Sequence, residues 1–430
     1  LAGHFDLRPD EGRQVVQLDL TVQDLAFGPT AQPVWREPRV HFTGQGVYDL
    51  LKDSFQIAQL HLEGQSLSCD ASGQVAALSS DMELSLEGKL GYDLEKLEPQ
   101  LRPYLGASVK LTGRDTRPFR IAGALAAPEA KPLDVAVGPA PEPPAPPPLL
   151  GRLRGDAGLN WQSLQAMGCQ IGAAELRGQL ADGWFRAAPI EATLNQGRLH
   201  LEPSLHLDPG PLEVSLPQGR AIERARLTPA ACASALGYAL PVLADVAQAE
   251  GELSLDLKSG RVPLTDPTHA DVGGWLTIHA AQVSAGPLVR ELSVLLKGPA
   301  MLTLAKDNVV PFRMVNGRVY HTGLELHFPE LTIRTSGSVG LDSSLELVAE
   351  MPVPPKWLGS GTLAKAVAGQ TIRLPIGGTL SKPKIDEKAL RDASAQFARE
   401  AAENVIRQEM DGKLKKEAES GLKKLFRPRK

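Results

Sequence analysis

The chain has little of what most protein chemistry draws on. Only three of its 430 residues are cysteine (Cys69, Cys169 and Cys232), far apart and without C-x-x-C spacing. That excludes a disulfide framework and argues against zinc. The thiols read as small buried hydrophobes, and the sequence leaves a single Cys169–Cys232 bridge open. Aromatic residues make up 5% of the chain, and Trp35, Trp161, Trp184, Trp275 and Trp357 are scattered. No ladder of rings is available to stack sugars or bases. No apolar run approaches the roughly 18 residues of a membrane-crossing helix. Neither sign of charge dominates, with 46 Lys and Arg against 50 Asp and Glu. That balance excludes a disordered polyelectrolyte and a surface built for nucleic acid. Leu1 is not an initiator Met and opens no signal-peptide pattern, so the chain reads as processed or as a piece of something longer.

Catalytic signatures are missing too. There is no G-x-S-x-G, H-E-x-x-H or Walker-type loop, and no G-x-G-x-x-G opens a helix. His200 and His206, like His321 and His327, are six residues apart, which along a strand is about 20 Å and too far to share an ion. The histidines, His41, His61 and His279 included, read as ordinary residues of polar strand faces. Glu252 and Asp256 share a face but stand about 13 Å apart, too far to grip one cation. The reading is a protein that is not an enzyme, with no cofactor and no metal.

What the chain does have is period-two alternation. Val16, Leu18, Leu20 and Val22 alternate with polar residues, and Met82, Leu84 and Leu86 repeat the pattern. It returns at Leu212, Val214 and Leu216, at Leu253, Leu255 and Leu257, at Leu324, Leu326 and Phe328, and at Leu345 and Leu347. Asp182-Gly183, Asn316-Gly317 and Ser259-Gly260 supply turn chemistry between runs. On the order of twenty strands follow, more than the roughly ten that a flat open sheet sustains before it curls. The expected fold is mainly β, a long curled antiparallel sheet (a groove or "taco") with one short packed helix and a C-terminal amphipathic helical tail. One face of every strand is apolar and must be covered, by another sheet, by curvature or by an apolar ligand.

Two segments break the pattern. Residues 127–149 hold nine prolines and no aromatic residue, and read as a polyproline-like linker or loop. Residues 228–246 read as a packed helix with Thr228 as N-cap, Pro229 at the first helical position and a stop or kink at Pro241. From residue 387 the spacing turns helical, with Leu390, Ala393, Phe397, Ala401 and Val405 along one stripe. The end is basic: Lys423, Lys424, Phe426, Arg427, Arg429 and Lys430 suit an anionic membrane surface, or else form a solvated or protein-docking tail.

Over residues 150–390 the order of short motifs becomes familiar. Leu176-Arg-Gly-Gln-Leu180-Ala-Asp182-Gly183 leads to Pro189-Ile-Glu-Ala-Thr-Leu194 and Asn195-Gln-Gly197-Arg-Leu199. Later come Val315-Asn-Gly317-Arg-Val319, Gly337-Ser-Val339-Gly340-Leu341-Asp342 and Gly378-Thr379-Leu380-Ser-Lys-Pro383. This order resembles the AsmA-like C-terminal region of the AsmA/TamB superfamily of bacterial envelope proteins. The resemblance implies a bridge-like lipid transfer protein, periplasmic and anchored to the inner membrane by an upstream segment. Its implied role is to shield phospholipid acyl chains between inner and outer membrane and to support outer-membrane biogenesis. The partners would be phospholipid or another acyl lipid, and a membrane surface or envelope protein at the C-terminus, with no nucleic acid. The lining would be the alternate apolar residues named above. The implied organisation is a β segment over 1–126, the Pro-rich stretch over 127–149, a β-groove over 150–386 and the tail over 387–430. A structural envelope protein with a filled apolar core and no transported ligand is the other reading.

Overall fold

The computed structural model of the chain describes residues 2–10, 13–27, 35–105, 108–126, 148–208, 210–296, 301–304, 307–328, 332–352 and 371–385. The protein is mainly β, and its strand pairings are antiparallel. The chain opens as a meander of long strands: β1 (Ala2–Asp10), β2 (Arg13–Phe27), β3 (Trp35–Asp49), β4 (Ser54–Glu63), β5 (Leu67–Ala76) and β6 (Glu83–Asp93). Helix α1 (Leu94–Leu105) follows, then β7 (Lys110–Thr112) and β8 (Arg114–Ala124). Next come α2 (Leu149–Arg152), β9 (Leu153–Trp161), β10 (Ser163–Ala166), β11 (Cys169–Ile171), β12 (Ala174–Ala181), β13 (Trp184–Ala187) and β14 (Ile190–Leu194). Strands β15 (Gly197–Leu201), β16 (Ser204–His206), β17 (Glu213–Leu216) and β18 (Gly219–Arg226) precede α3 (Pro229–Cys232), α4 (Ala235–Ala239) and a 3-10 turn over Pro241–Leu243. Then follow β19 (Ala249–Pro263), β20 (Asp271–Ser284), α5 (Pro287–Leu296), β21 (Met301–Leu304), β22 (Asn308–Val315) and β23 (Arg318–His327). The described chain ends with β24 (Thr332–Gly340), β25 (Leu345–Pro352), β26 (Thr371–Thr379) and β27 (Lys382–Ile385).

The chain divides into two compact units. The first holds Leu1–Ala231, Leu253–Trp275 and Met314–Gly317; the second holds Cys232–Glu252, Leu276–Arg313 and the described residues from Arg318 onward. The Pro-rich segment does not separate them. Strands β8 and β9 on its two sides pair directly, Arg120 with Asp156 and Gly123 with Leu153. It is therefore a connection between neighbouring strands inside one unit.

In the first unit the strands from β7 to β18 come as long strands broken once near the middle. The breaks fall at Gly113, Gln162, Gly172-Ala173, Ala188-Pro189, Glu202-Pro203 and Pro217-Gln218. Glycine and proline supply most of them, because proline cannot donate to a ladder and glycine weakens one. Pairing then runs in two ladders. One is β8–β9–β12–β13–β16–β17–β19, and the other is β7–β10–β11–β14–β15–β18. Backbone groups freed at the breaks find partners: the Trp161 indole donates to the Gly172 carbonyl at 2.9 Å, and the Ala188 amide donates to the Arg177 carbonyl at 2.7 Å.

Several expectations meet a different outcome. The 228–246 helix is three short pieces, although Thr228 does accept the Ala231 amide at 3.2 Å as an N-cap would. Ser259-Gly260 is not a turn: β19 runs through it, and Gly260 pairs with Leu216. Asp182-Gly183 does close a hairpin, with φ of 53° and 77°. Helices α1, α2 and α5 add to the one packed helix expected, and α1 runs through Pro99 and Pro103. The tail expected over 387–430, with Lys423, Lys424, Phe426, Arg427, Arg429 and Lys430, lies outside the described residues.

Candidate functional site

The strand register of the first unit lines the alternate apolar residues up into rows on one face. Cross-strand partners run Leu7–Val16–Gly46–Ile57–Gly73–Leu86–Ile121–Gly155. Two residues further along each strand, or three along β4, a second row runs Phe5–Leu18–Gly44–Leu60–Ala71–Gly88–Phe119. A third runs Gly3–Leu20–Phe42–Leu62–Cys69–Leu90–Arg117. A bulge in β4 between Ile57 and Leu60 keeps the two halves of that strand on the same face. The opposite face carries Glu83, Ser85, Glu87 and Lys89 of β6, all exposed.

The exposure of this face matters more than its composition. Val16, Leu18, Leu20, Val22, Leu84 and Leu86 are half-buried, and Phe5 and Leu7 are 58% and 50% exposed. Among the described side chains from β1 to β6, Val40, Ala71 and Tyr92 are the buried large or methyl-bearing apolar ones. At one end α1 closes a small core of Tyr92, Leu94, Leu111, Trp161 and Ile190. The Tyr92 hydroxyl donates to the Asn160 carbonyl at 3.2 Å there.

The remaining sequence-derived lining residues fall into three groups. Met82 is not a strand residue: it precedes β6 in a left-handed turn conformation, φ 52°. Leu212, Val214, Leu216 and Leu255 are half-buried, whereas Leu253 and Leu257 are buried. In the second unit Leu324, Leu326, Phe328, Leu345 and Leu347 are all buried. There α4 packs on β23 and β24, α5 packs on β27, and Leu288, Val289 and Leu292 of α5 are buried with Ile333, Leu374 and Ile376 of the sheet. The second unit fills its apolar face with its own side chains. The long outer strands of the first leave theirs half open.

The polar faces carry ion pairs across strands. His61 bonds the directly opposed Asp70 at 2.7 Å, His41 bonds Asp19 at 2.9 Å, and Arg220 grips Asp256 with two bonds of 2.8 and 2.9 Å. His200 lies between Glu191 and Glu202, and its hydrogen bond to Glu191 raises its pKa. His200, Glu191, Glu202 and Arg220 border a surface cleft of about 460 Å³ beside Pro217 and Gly219. The charged residues of that cleft are paired, Glu191 and Glu202 with His200, Arg198 with Glu223 and Arg220 with Asp256, so it reads as a solvated face. His321 departs from the polar-face reading. It is buried on β23, bonded at Nε2 to the Thr335 hydroxyl at 3.2 Å, and Nδ1 has no hydrogen-bond partner among the described residues. Burial lowers its pKa to about 4, so it is neutral at pH 7. A bulge between His321 and Leu324 shifts the strand's alternation there, a change that period-two counting cannot register. All three cysteines are free thiols. No family model, curated protein or solved structure matches the chain.

Proposed function

We propose that this chain is a non-enzymatic lipid carrier or conduit of the bacterial cell envelope, a periplasmic member of the AsmA/TamB superfamily that shields acyl chains in transit between membranes. The observation that carries the reading is the half-open apolar face of β1 to β6 and β8. Leucine, valine, isoleucine and phenylalanine are aligned there by register across seven paired strands and remain in contact with solvent. Covering such a face with acyl chains is favourable by about 0.8 kcal/mol per buried CH₂. A lining without directional contacts lets the chain slide, and no reactive group is needed.

The proposal narrows the lining to the first unit. Val16, Leu18, Leu20, Val22, Leu84 and Leu86 would touch lipid, while Leu324, Leu326, Leu345 and Leu347 serve as core. The filled-core reading is thus favoured for the second unit, where helices cover the sheet. Native mass spectrometry with lipid extraction on the purified chain tests the proposal. Co-purified phospholipid that is lost in Leu86→Asp and retained in Ser85→Asp supports it: the two substitutions add the same charge to opposite faces of one strand. A stable, monodisperse, lipid-free protein would overturn it in favour of the scaffold.

A further inference from the structure

The tip that joins β3 to β4 is braced by two aspartates. Asp49 Oδ1 accepts the amides of Leu51 and Lys52, both at 3.1 Å, and Arg13 donates to Oδ2 at 3.3 Å. Asp53 accepts the Ser79 amide at 2.9 Å and the Ser79 hydroxyl at 2.6 Å, and its carbonyl accepts the Leu78 amide at 3.2 Å. These bonds fasten the tip to the neighbouring β5–β6 connection. Aspartate side chains satisfy turn backbone in this way, so the turn needs nothing from Leu50 and Leu51. Yet Leu50 is 52% exposed and Leu51 is 93% exposed.

What the tip presents outward is two leucines and the exposed Lys52. Its carboxylates are tied back: the Asp49 side chain is 15% exposed, and that of Asp53 is bonded to Ser79. Apolar character continues from the tip onto the half-open face. Tyr48 pairs with Phe55, Phe55 with Val75 and Val75 with Leu84, all half-buried. A protein partner would need a pocket shaped for so convex a tip, whereas a bilayer interface takes up apolar side chains without one. A lysine beside them reaches headgroup phosphate while its stem stays with the apolar residues.

We infer that the β3–β4 tip is a membrane contact: Leu50 and Leu51 enter the interface of a phospholipid bilayer, and Lys52 lies among its phosphates. The inference rests on the lipid-carrier reading above and adds to it the surface from which the half-open face loads.

The full chain is floated with vesicles of dioleoylphosphatidylcholine, with and without dioleoylphosphatidylglycerol. Leu51→Asp is expected to lower the partition coefficient about tenfold or more, the range for one leucine withdrawn from an apolar medium. Lys52→Gln should lower it about fivefold on vesicles that contain phosphatidylglycerol, and much less on phosphatidylcholine alone. Co-purified lipid, read by native mass spectrometry, should survive both substitutions, because neither residue lies on the half-open face. Vesicle binding that is absent, or equal in Leu51→Asp and the unsubstituted chain, overturns the contact; co-purified lipid would then leave the carrier reading standing. Vesicle binding that needs Leu51, in a chain that carries no lipid, supports the contact and overturns the carrier. A dimer that Leu51→Asp dissolves, without vesicle binding, reassigns the tip to a second copy of the chain and overturns the contact. Leu51→Asp should also leave the melting temperature unchanged. A lowered one would mean that Leu51 is covered within the protein, and would overturn the contact.

Discussion

His321 and Gly88 show how much one residue decides in a sheet of this kind. His321 is 2% exposed, and its folded pKa of about 4 lies below the ordinary value of 6.5. Between those values the unfolded chain binds a proton that the folded chain refuses, so stability rises with pH across that window. The contribution is fully present above about pH 6.5 and is lost as pH falls towards 4, an effect of about 3 kcal/mol. Chemical denaturation at pH 4.5 and pH 7 should show it, and His321→Leu should flatten that dependence. An unchanged slope in the variant would place the pH sensitivity elsewhere. At Gly88 a Cβ would stand 2.0 Å from the Asp70 carbonyl oxygen and 2.8 Å from the Ala71 Cα. Both neighbours are backbone and cannot swing aside. Gly88→Val is therefore expected to cost at least about 1–3 kcal/mol, measured by urea denaturation, and a neutral result would mean that β5 and β6 are more loosely joined than their register indicates.

At the scale of elements, the broken strands are the main device. A strand that must bend loses ladder bonds at the bend, and the stranded backbone groups need other partners. Trp161 supplies one of them from within the core under α1. Trp161→Phe keeps most of the apolar area and removes the indole donor, so it should cost about 1–3 kcal/mol for the unsatisfied Gly172 carbonyl. Thermal melting with near-ultraviolet circular dichroism would read it. The Pro-rich connection is expected to matter far less. Because β8 and β9 are already paired neighbours, replacing residues 127–147 with a short Gly/Ser turn should leave the melting temperature nearly unchanged, since loop length enters closure entropy only logarithmically. A large loss of stability would show that this segment contributes contacts of its own.

At the scale of the whole molecule, lipid loading separates the two units. Leu18→Asp and Leu84→Asp, in the half-open face, should reduce co-purified lipid without unfolding the protein. Leu326→Asp, fully buried in the second unit, should unfold it outright, because an unpaired buried carboxylate costs several kcal/mol. Equal loss of lipid from all three at equal stability would contradict the division between open face and filled core.

Much of this was legible before any coordinates. Alternation in runs such as Glu83–Tyr92 forces strands with one apolar face, and the number of such runs forces a mainly β antiparallel protein; both follow from the two-residue repeat of the extended backbone. Asp182-Gly183 named its hairpin because only residues tolerant of positive φ close so tight a turn. The sequence alone could not say which apolar faces are covered. Leu84 and Leu326 sit in similar local patterns, yet one is half-open and the other closed, because coverage depends on α4 and α5 arriving from distant parts of the chain. Nor could it foresee that β19 passes through Ser259-Gly260 or that a bulge turns His321 inward. Those outcomes depend on register between strands far apart in sequence, and register is set by the packing of whole sheets rather than by any local run of residues.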